Sequence, residues 1–298
     1  MLKRKTLKKV ILSLFMSLFM MSFLCLNATA ATTIEDTYGA SGGAAVSTTF
    51  IPAYGQSYTN YKVYYPTNLN AGPYPVIIWA NGTGETYTSP GYDAVFTNLA
   101  SWGFVVACNN DGGDGDGSNA LVAAYDITSY TYNPLSIFFN KLDVNKVGIG
   151  GHSQGGPAAI NAATKYLGSN IFKTVYTASA ASQSLCTGLL GAWAYNPALI
   201  NVPYFACAGT GSTDANVIAP LASLQENYNQ LPSGVPTVMG RVKDTDHGNI
   251  VPNSQGYLNA WFLYTLKGNT AAGKAFTGAN PEISTNSRWQ DVATKNIP

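Results

Sequence analysis

The chain is poor in histidine, in cysteine and in charge, and each shortage closes off some chemistry. Two histidines occur in 298 residues, His152 and His247, so any acid–base work by imidazole has only two seats. The four cysteines form no C-x-x-C pair and no Cys/His cluster, which excludes the usual zinc spacings. Lys, Arg, Asp and Glu make up 10% of the residues. Five of the sixteen basic residues fall in the first thirty positions, which contain no acid. Beyond position 30 the formal charge is 11 − 15 = −4, against +1 for the whole chain. A mildly acidic chain without basic clusters lacks the electrostatic footprint of a nucleic-acid binder. There is also no internal repeat and no linker-like stretch, so nothing divides the chain into several domains.

What is present begins with a leader. Lys3, Arg4, Lys5, Lys8 and Lys9 form a basic head, Val10 to Leu26 an apolar run, and Ala28-Thr29-Ala30 an A-x-A cleavage site. Cys25 follows Ser22-Phe23-Leu24, which lacks the small residue a lipoprotein signal places before its cysteine. The pattern predicts a signal peptide over residues 1–30, a secreted and extracellular protein, and no stable membrane association after cleavage. The remaining 298 − 30 = 268 residues suit one α/β domain, residues 31–298, expected to be a monomer. Three cysteines remain in it, and export permits a bridge, with Cys186–Cys207 favoured because the two flank neighbouring predicted strands.

Strands are predicted at Ala44–Ile51 and Asn60–Tyr65, joined by a turn containing Gly55, and then at Pro75–Ala80, a continuous apolar run suited to burial on both faces. Phe104–Cys108, Val147–Gly150, Lys173–Ser179, Pro203–Ala208 and Pro236–Val242 complete a set of about eight. Helices are predicted at Tyr92–Trp102, Leu121–Thr128, from Gly156 onward, Asn216–Tyr228 and Gln255–Leu266. Strands alternating with helices imply an α/β fold whose mostly parallel central sheet carries helices on both faces. The polar, turn-rich stretch from Gly268 to Pro298 reads as a C-terminal wrap.

The most informative stretch is Val147–Ala163, VGIGGHSQGGPAAINAA. Within it Gly151-His152-Ser153-Gln154-Gly155 matches G-x-S-x-G between a strand and a helix, the nucleophile elbow. Ser153 must adopt a left-handed backbone there, and side chains two positions either side would collide, so glycines occupy both. Pro157 falls in the first helical turn, where its missing N–H has no intrahelical partner to lose. A serine hydroxyl needs a base. His152 sits beside the serine with its side chain projecting away, which leaves His247, in the loop after the last predicted strand. The chain order serine, acid, histidine puts the acid between them: Asp214, Glu226, Asp244 or Asp246. Glu226 lies mid-helix, and Asp244 and Asp246 are awkwardly close to His247, so Asp214 is the choice. The oxyanion donors are then the backbone N–H of Gln154 and that of Thr83, with Gly82 as an alternative.

The loop Asn109–Ser118 is acidic and glycine-rich. An EF-hand register starting at Asp114 puts Asn119 where glycine is required and Tyr125 where the bidentate glutamate belongs, so no such calcium loop exists. A flexible loop at the cleft edge is the expectation. No metal and no organic cofactor is implied.

The chain resembles the secreted bacterial cutinases and poly(ethylene terephthalate) hydrolases of the polyesterase–lipase–cutinase family. The resemblance rests on Leu99-Ala100-Ser101-Trp102-Gly103-Phe104-Val105-Val106, Gly151–Gly156, Phe205-Ala206-Cys207, Ile218-Ala219-Pro220, His247 and Ala260-Trp261. It implies an α/β-hydrolase fold without a large lid and a serine ester hydrolase acting through an acyl-enzyme on small or polymeric esters, aromatic polyesters included. Carried over, Ser153 matches the nucleophile, Asp214 the acid, His247 the base, and Thr83 and Gln154 the oxyanion donors. The sequence departs from the family at Gln154, usually methionine, and at Thr83, often aromatic. No cysteine follows His247, so the family's usual bridges cannot form. Tyr87, the segment Gln183–Trp193 and Ile250 are the candidate substrate contacts. Two other readings are a plant-cell-wall deacylase acting on acetyl or feruloyl esters, and a non-catalytic binding protein on a hydrolase scaffold.

Overall fold

A computed structural model of the protein describes residues 33–53, 58–188 and 193–297. The predicted leader, the Gly55 turn and residues 189–192 of the Gln183–Trp193 segment lie outside the described residues. Among the described residues no helix is long and apolar enough to cross a membrane.

Among the described residues nine strands form one sheet: β1 Val46–Pro52, β2 Asn60–Pro66, β3 Tyr74–Ala80, β4 Val105–Asn109, β5 Leu142–His152, β6 Phe172–Ala178, β7 Tyr204–Gly209, β8 Thr237–Val242 and β9 Trp289–Lys295. Their spatial order is β1-β2-β4-β3-β5-β6-β7-β8-β9. The run from β4 through β3, β5, β6 and β7 to β8 is parallel, while β2 meets β4 and β9 meets β8 antiparallel. The fold is therefore α/β with a mostly parallel sheet, with nine described strands where about eight are expected.

The extra strand, β9, falls in the stretch read as a wrap. It pairs Val242 with Trp289 and Thr237 with Lys295, and Arg241 meets Asp291 at 2.7 Å across the pair. Only one of its faces needs apolar residues, and Gln290, Asp291 and Lys295 mask the pattern, as edge strands commonly do.

Period-two alternation splits the core between the two faces of the sheet. Val76, Ile78 and Ala80 of β3 join Ile149 and Val175 on one face, under α3 (Ser118–Ser129) and α4 (Gly155–Thr164). Ile77 and Trp79 join Tyr176 and Phe205 on the other, under α2 (Tyr92–Ser101) and the helix Gln255–Lys267, against which the short α1 (Ile34–Gly39) packs with Tyr38. All seven residues of β3 are buried, as its unbroken apolar run requires. The Gln255–Lys267 helix buries Leu258, Trp261 and Phe262 and ends at Gly268, whose φ of +65° suits a glycine cap.

The same partition rules out the favoured disulfide. Cys186 packs on the α4 face and Cys207 on the opposite face, where the Tyr176 hydroxyl lies 3.0 Å from its sulfur. Cys108, Cys186 and Cys207 are all free and buried. Burial pushes the thiols of Cys186 and Cys207 up to about 11 and about 12.

The predicted helix Asn216–Tyr228 is two elements. Asp214–Ile218 forms a single wide π turn, and a separate helix runs Leu221–Gln230. Pro220 stands between them with no N–H to donate, which breaks the continuity. Such wide turns are rare and recur at functional sites.

Candidate active site

β5 delivers the elbow. Ser153 has φ of +55°, the left-handed conformation that lifts its hydroxyl off the sheet. A Cβ on Gly151 would lie 1.9 Å from the Gly155 carbonyl oxygen, and one on Gly155 would lie 2.1 Å from that of Ala80. Neither position tolerates a side chain, which is the steric reason for the motif's spacing. The Ser153 N–H donates to the Ala178 carbonyl at 3.0 Å, fixing the strained residue to β6. Helix α4 starts two residues later, so its positive end faces the hydroxyl.

The loops after β7 and β8 bring two more predicted residues to this point. His247 Nε2 lies 2.9 Å from Ser153 Oγ, and His247 Nδ1 lies 2.6 Å from Asp214 Oδ1. A carboxylate at Nδ1 puts the ring proton there and leaves Nε2 as an acceptor for the serine proton. The His247 side chain is 19% exposed, so the pair reaches solvent, whereas Asp214 is fully buried. Burying a carboxylate demands donors. Asp214 Oδ2 receives the Gly209 N–H at 2.8 Å and the Ser179 hydroxyl at 2.5 Å. Ser179 itself has φ of +46° and is fully buried. Sequence reasoning missed it, because it closes a strand-end turn 35 residues away from its partner.

The other acid candidates do different things. Glu226 is exposed on the helix Leu221–Gln230, and Asp244 is exposed with φ of +52°. Asp246 caps the His247 turn: its Oδ1 accepts the N–H groups of His247 at 2.9 Å and Thr213 at 3.2 Å. It thus ties the histidine loop to the residue preceding Asp214. The His247 N–H, then the N–H and hydroxyl of Thr213, hold its carboxyl below the ordinary range.

The register Ala80↔Gly151 sets the loop after β3 beside the elbow. Among the described residues, no protein acceptor takes the N–H of Thr83 or of Gln154. The Gly82 N–H is committed to Glu85 Oε2 at 3.0 Å, which removes it as the alternative donor. The acidic loop does more than edge the cleft. Its Gly112 carbonyl receives the Gln154 side-chain amide at 2.6 Å and the Gly84 N–H at 2.9 Å. Asn81 Nδ2 donates to the Asn109 side chain at 2.9 Å and the Asp111 carbonyl at 2.9 Å. The loop's backbone carbonyls thus tie together both segments that carry unpaired N–H groups. Among the described residues no three metal-ligating side chains gather, in this loop or elsewhere.

His152 does not project idly. Its Nδ1 lies 2.8 Å from Glu85 Oε2 and its Nε2 lies 3.1 Å from the His247 backbone carbonyl, with its ring 4.7 Å from that of His247. Burial alone would raise the Glu85 carboxyl. The hydrogen bond and charge of His152, with the Tyr92 hydroxyl and the Gly82 N–H, outweigh burial and hold it below its ordinary value. No sequence signal marks Glu85, which lies 67 residues before its partner.

The candidate substrate contacts fare less well. Ile250 is fully buried in the core and offers no surface to a ligand. The Gln183 side chain donates to Asn227 at 2.8 Å, bracing α5 (Gln183–Gly188) against the helix Leu221–Gln230. Tyr87 donates to Asn60 at 2.8 Å and packs edge-on to Phe50, at the end of β1 and β2. Trp193 is half-buried, and its indole lies where a side chain on Gly115 of the acidic loop would be. Compared with models of known protein families and with curated proteins, the chain matches none.

Proposed function

We propose that this protein is a secreted serine ester hydrolase of the α/β-hydrolase fold, similar to the cutinases and polyester hydrolases, and that it cleaves carboxylic esters through an acyl-enzyme. The observation that carries the reading is the contact of Ser153 Oγ with His247 Nε2 at 2.9 Å, on a left-handed serine, with the far nitrogen of the ring on a buried carboxylate.

In the proposed cycle His247 Nε2 takes the Ser153 proton as Oγ attacks the ester carbonyl. The oxygen of the tetrahedral intermediate takes up the free N–H groups of Thr83 and Gln154. Collapse expels the alcohol, which receives the proton from His247, and leaves the acyl group on Ser153. Water, deprotonated by the same nitrogen, attacks the acyl-enzyme and releases the acid. Asp214 keeps the ring in the tautomer with Nδ1 protonated and stabilises the imidazolium formed in each half. The reaction calls for no cofactor. Ser153 and His247 are both only partly buried, which suits esters borne on bulky or polymeric substrates.

Hydrolysis of p-nitrophenyl butyrate, with stoichiometric labelling by a fluorophosphonate, tests the reading. Both are expected in the wild type and neither in Ser153→Ala. A folded wild type that shows neither would refute it. A panel of polyester film, triglyceride and acetylated xylan then fixes the substrate class, and activity on xylan alone would make the protein a cell-wall deacylase.

A further inference from the structure

We propose that Glu85 and His152 form a charged pair that positions the base His247 and the loop bearing Thr83. This rests on the reading of Ser153 and His247 as nucleophile and base. His152 is 3% exposed and cannot touch substrate, so it is a positioning residue. Both its ring nitrogens face acceptors: the Glu85 carboxylate at Nδ1 (2.8 Å) and the His247 carbonyl oxygen at Nε2 (3.1 Å). An imidazole donates from both nitrogens only when it carries both protons. Glu85 is then its counter-ion, and a buried cation without one would not persist.

The same carboxylate oxygen holds three elements at once. Glu85 Oε2 accepts the Gly82 N–H at 3.0 Å, the Tyr92 hydroxyl of α2 at 2.5 Å, and His152 of the elbow. The groups facing the His152 ring are thus Glu85, Tyr92 and His247. On the far side, the His247 carbonyl also receives the Ile250 N–H, so His152 completes the turn that carries the base. A cation donor there fixes the His247 backbone, while Gly82 fixes the residue preceding Thr83. One pair therefore sets the separation between the base and an oxyanion donor. Small displacements of reacting groups cost rate rather than substrate affinity.

Two measurements test this. With only two histidines, ring-¹⁵N spectra of the labelled protein at neutral pH resolve both rings, and His152→Asn assigns them. Both nitrogens of His152 are expected to carry protons, and Glu85→Gln to remove one. A singly protonated His152 ring in the wild type overturns the charged pair whatever the activity. In kinetics with p-nitrophenyl butyrate, Glu85→Gln and His152→Asn are expected to lower kcat about ten- to hundredfold, with KM within about twofold. Glu85→Asp should regain part of the loss, and the double variant should be no slower than the slower single one. A folded Glu85→Gln with unchanged kcat, beside an active wild type, refutes the positioning role and leaves the hydrolase reading intact. A wild type inert to both ester and fluorophosphonate refutes that reading and the positioning role together.

Discussion

Two histidine–carboxylate pairs stand face to face at the carboxyl edge of the sheet, and they differ in what the second ring nitrogen meets. At His247, Nδ1 meets Asp214 and Nε2 meets a hydroxyl that can give up a proton. At His152, Nδ1 meets Glu85 and Nε2 meets a carbonyl that cannot. The carboxylates differ too: Asp214 is sealed in and saturated with donors, while the Glu85 side chain is 28% exposed. In the proposed reading, the same two residue types make a proton carrier in one place and a strut in the other. Residue identity does not decide between them; the partner of the free nitrogen does.

The sharpest break in that comparison is to remove the proton carrier. His247→Ala should lower kcat on p-nitrophenyl butyrate by roughly 10⁶-fold, against the modest loss expected for the strut, with the folded state checked by thermal melting. A comparable loss at both histidines would erase the distinction. Next, Asp214→Asn keeps the shape but disturbs the tautomer of His247, and should cost about 10⁴-fold in kcat. The Glu85→Gln loss is expected to be far smaller, because Glu85 never touches the base itself.

Ser179→Ala removes one donor from a buried carboxylate. It should destabilise the protein by roughly 1.5–3 kcal/mol in denaturant unfolding, with a far smaller fall in kcat than Asp214→Asn. The smallest effect separates a carboxylate that has a cation from one that has none. Glu85 lies below its ordinary value, so its contribution to stability is present above the usual carboxylate range and lost as pH falls through the lowered value. Asp114 behaves oppositely. Burial, then the charges of Asp116 and Asp111, raises its carboxyl from 3.8 to about 7 despite the N–H groups of Asn119 and Ala120. Across that window the unfolded chain ionises first, so stability falls as pH rises. Asp114→Asn should flatten the decline of melting temperature over the same window, and an unchanged slope would remove Asp114 as its source.

The elbow was legible because sterics leave one solution: Gly151 and Gly155 are required by atoms two ångströms away. The partner of Ser153 was legible through scarcity, since a chain with two histidines offers few alternatives. The alternation of strands and helices likewise carried the α/β class. What escaped shares one property: its meaning lies in a distant contact. Ser179, Glu85 and the Gly112 carbonyl look ordinary in sequence and acquire roles only when the loops after β3, β4, β5 and β6 converge. Ile250 failed as a substrate contact because an apolar residue just after the histidine turn was needed to anchor the turn in the core. β9 escaped because an edge strand hides its pairing behind charged side chains.

That last strand has a practical consequence for handling the protein. β9 shields the backbone rim of β8, so a clone stopped at residue 286 would present an unpaired row of N–H and C=O groups to its neighbours. Such a clone should precipitate or pair rim to rim even with every reacting side chain intact. Purification handles and fusion partners therefore belong on a spacer beyond residue 298, not in place of the final segment.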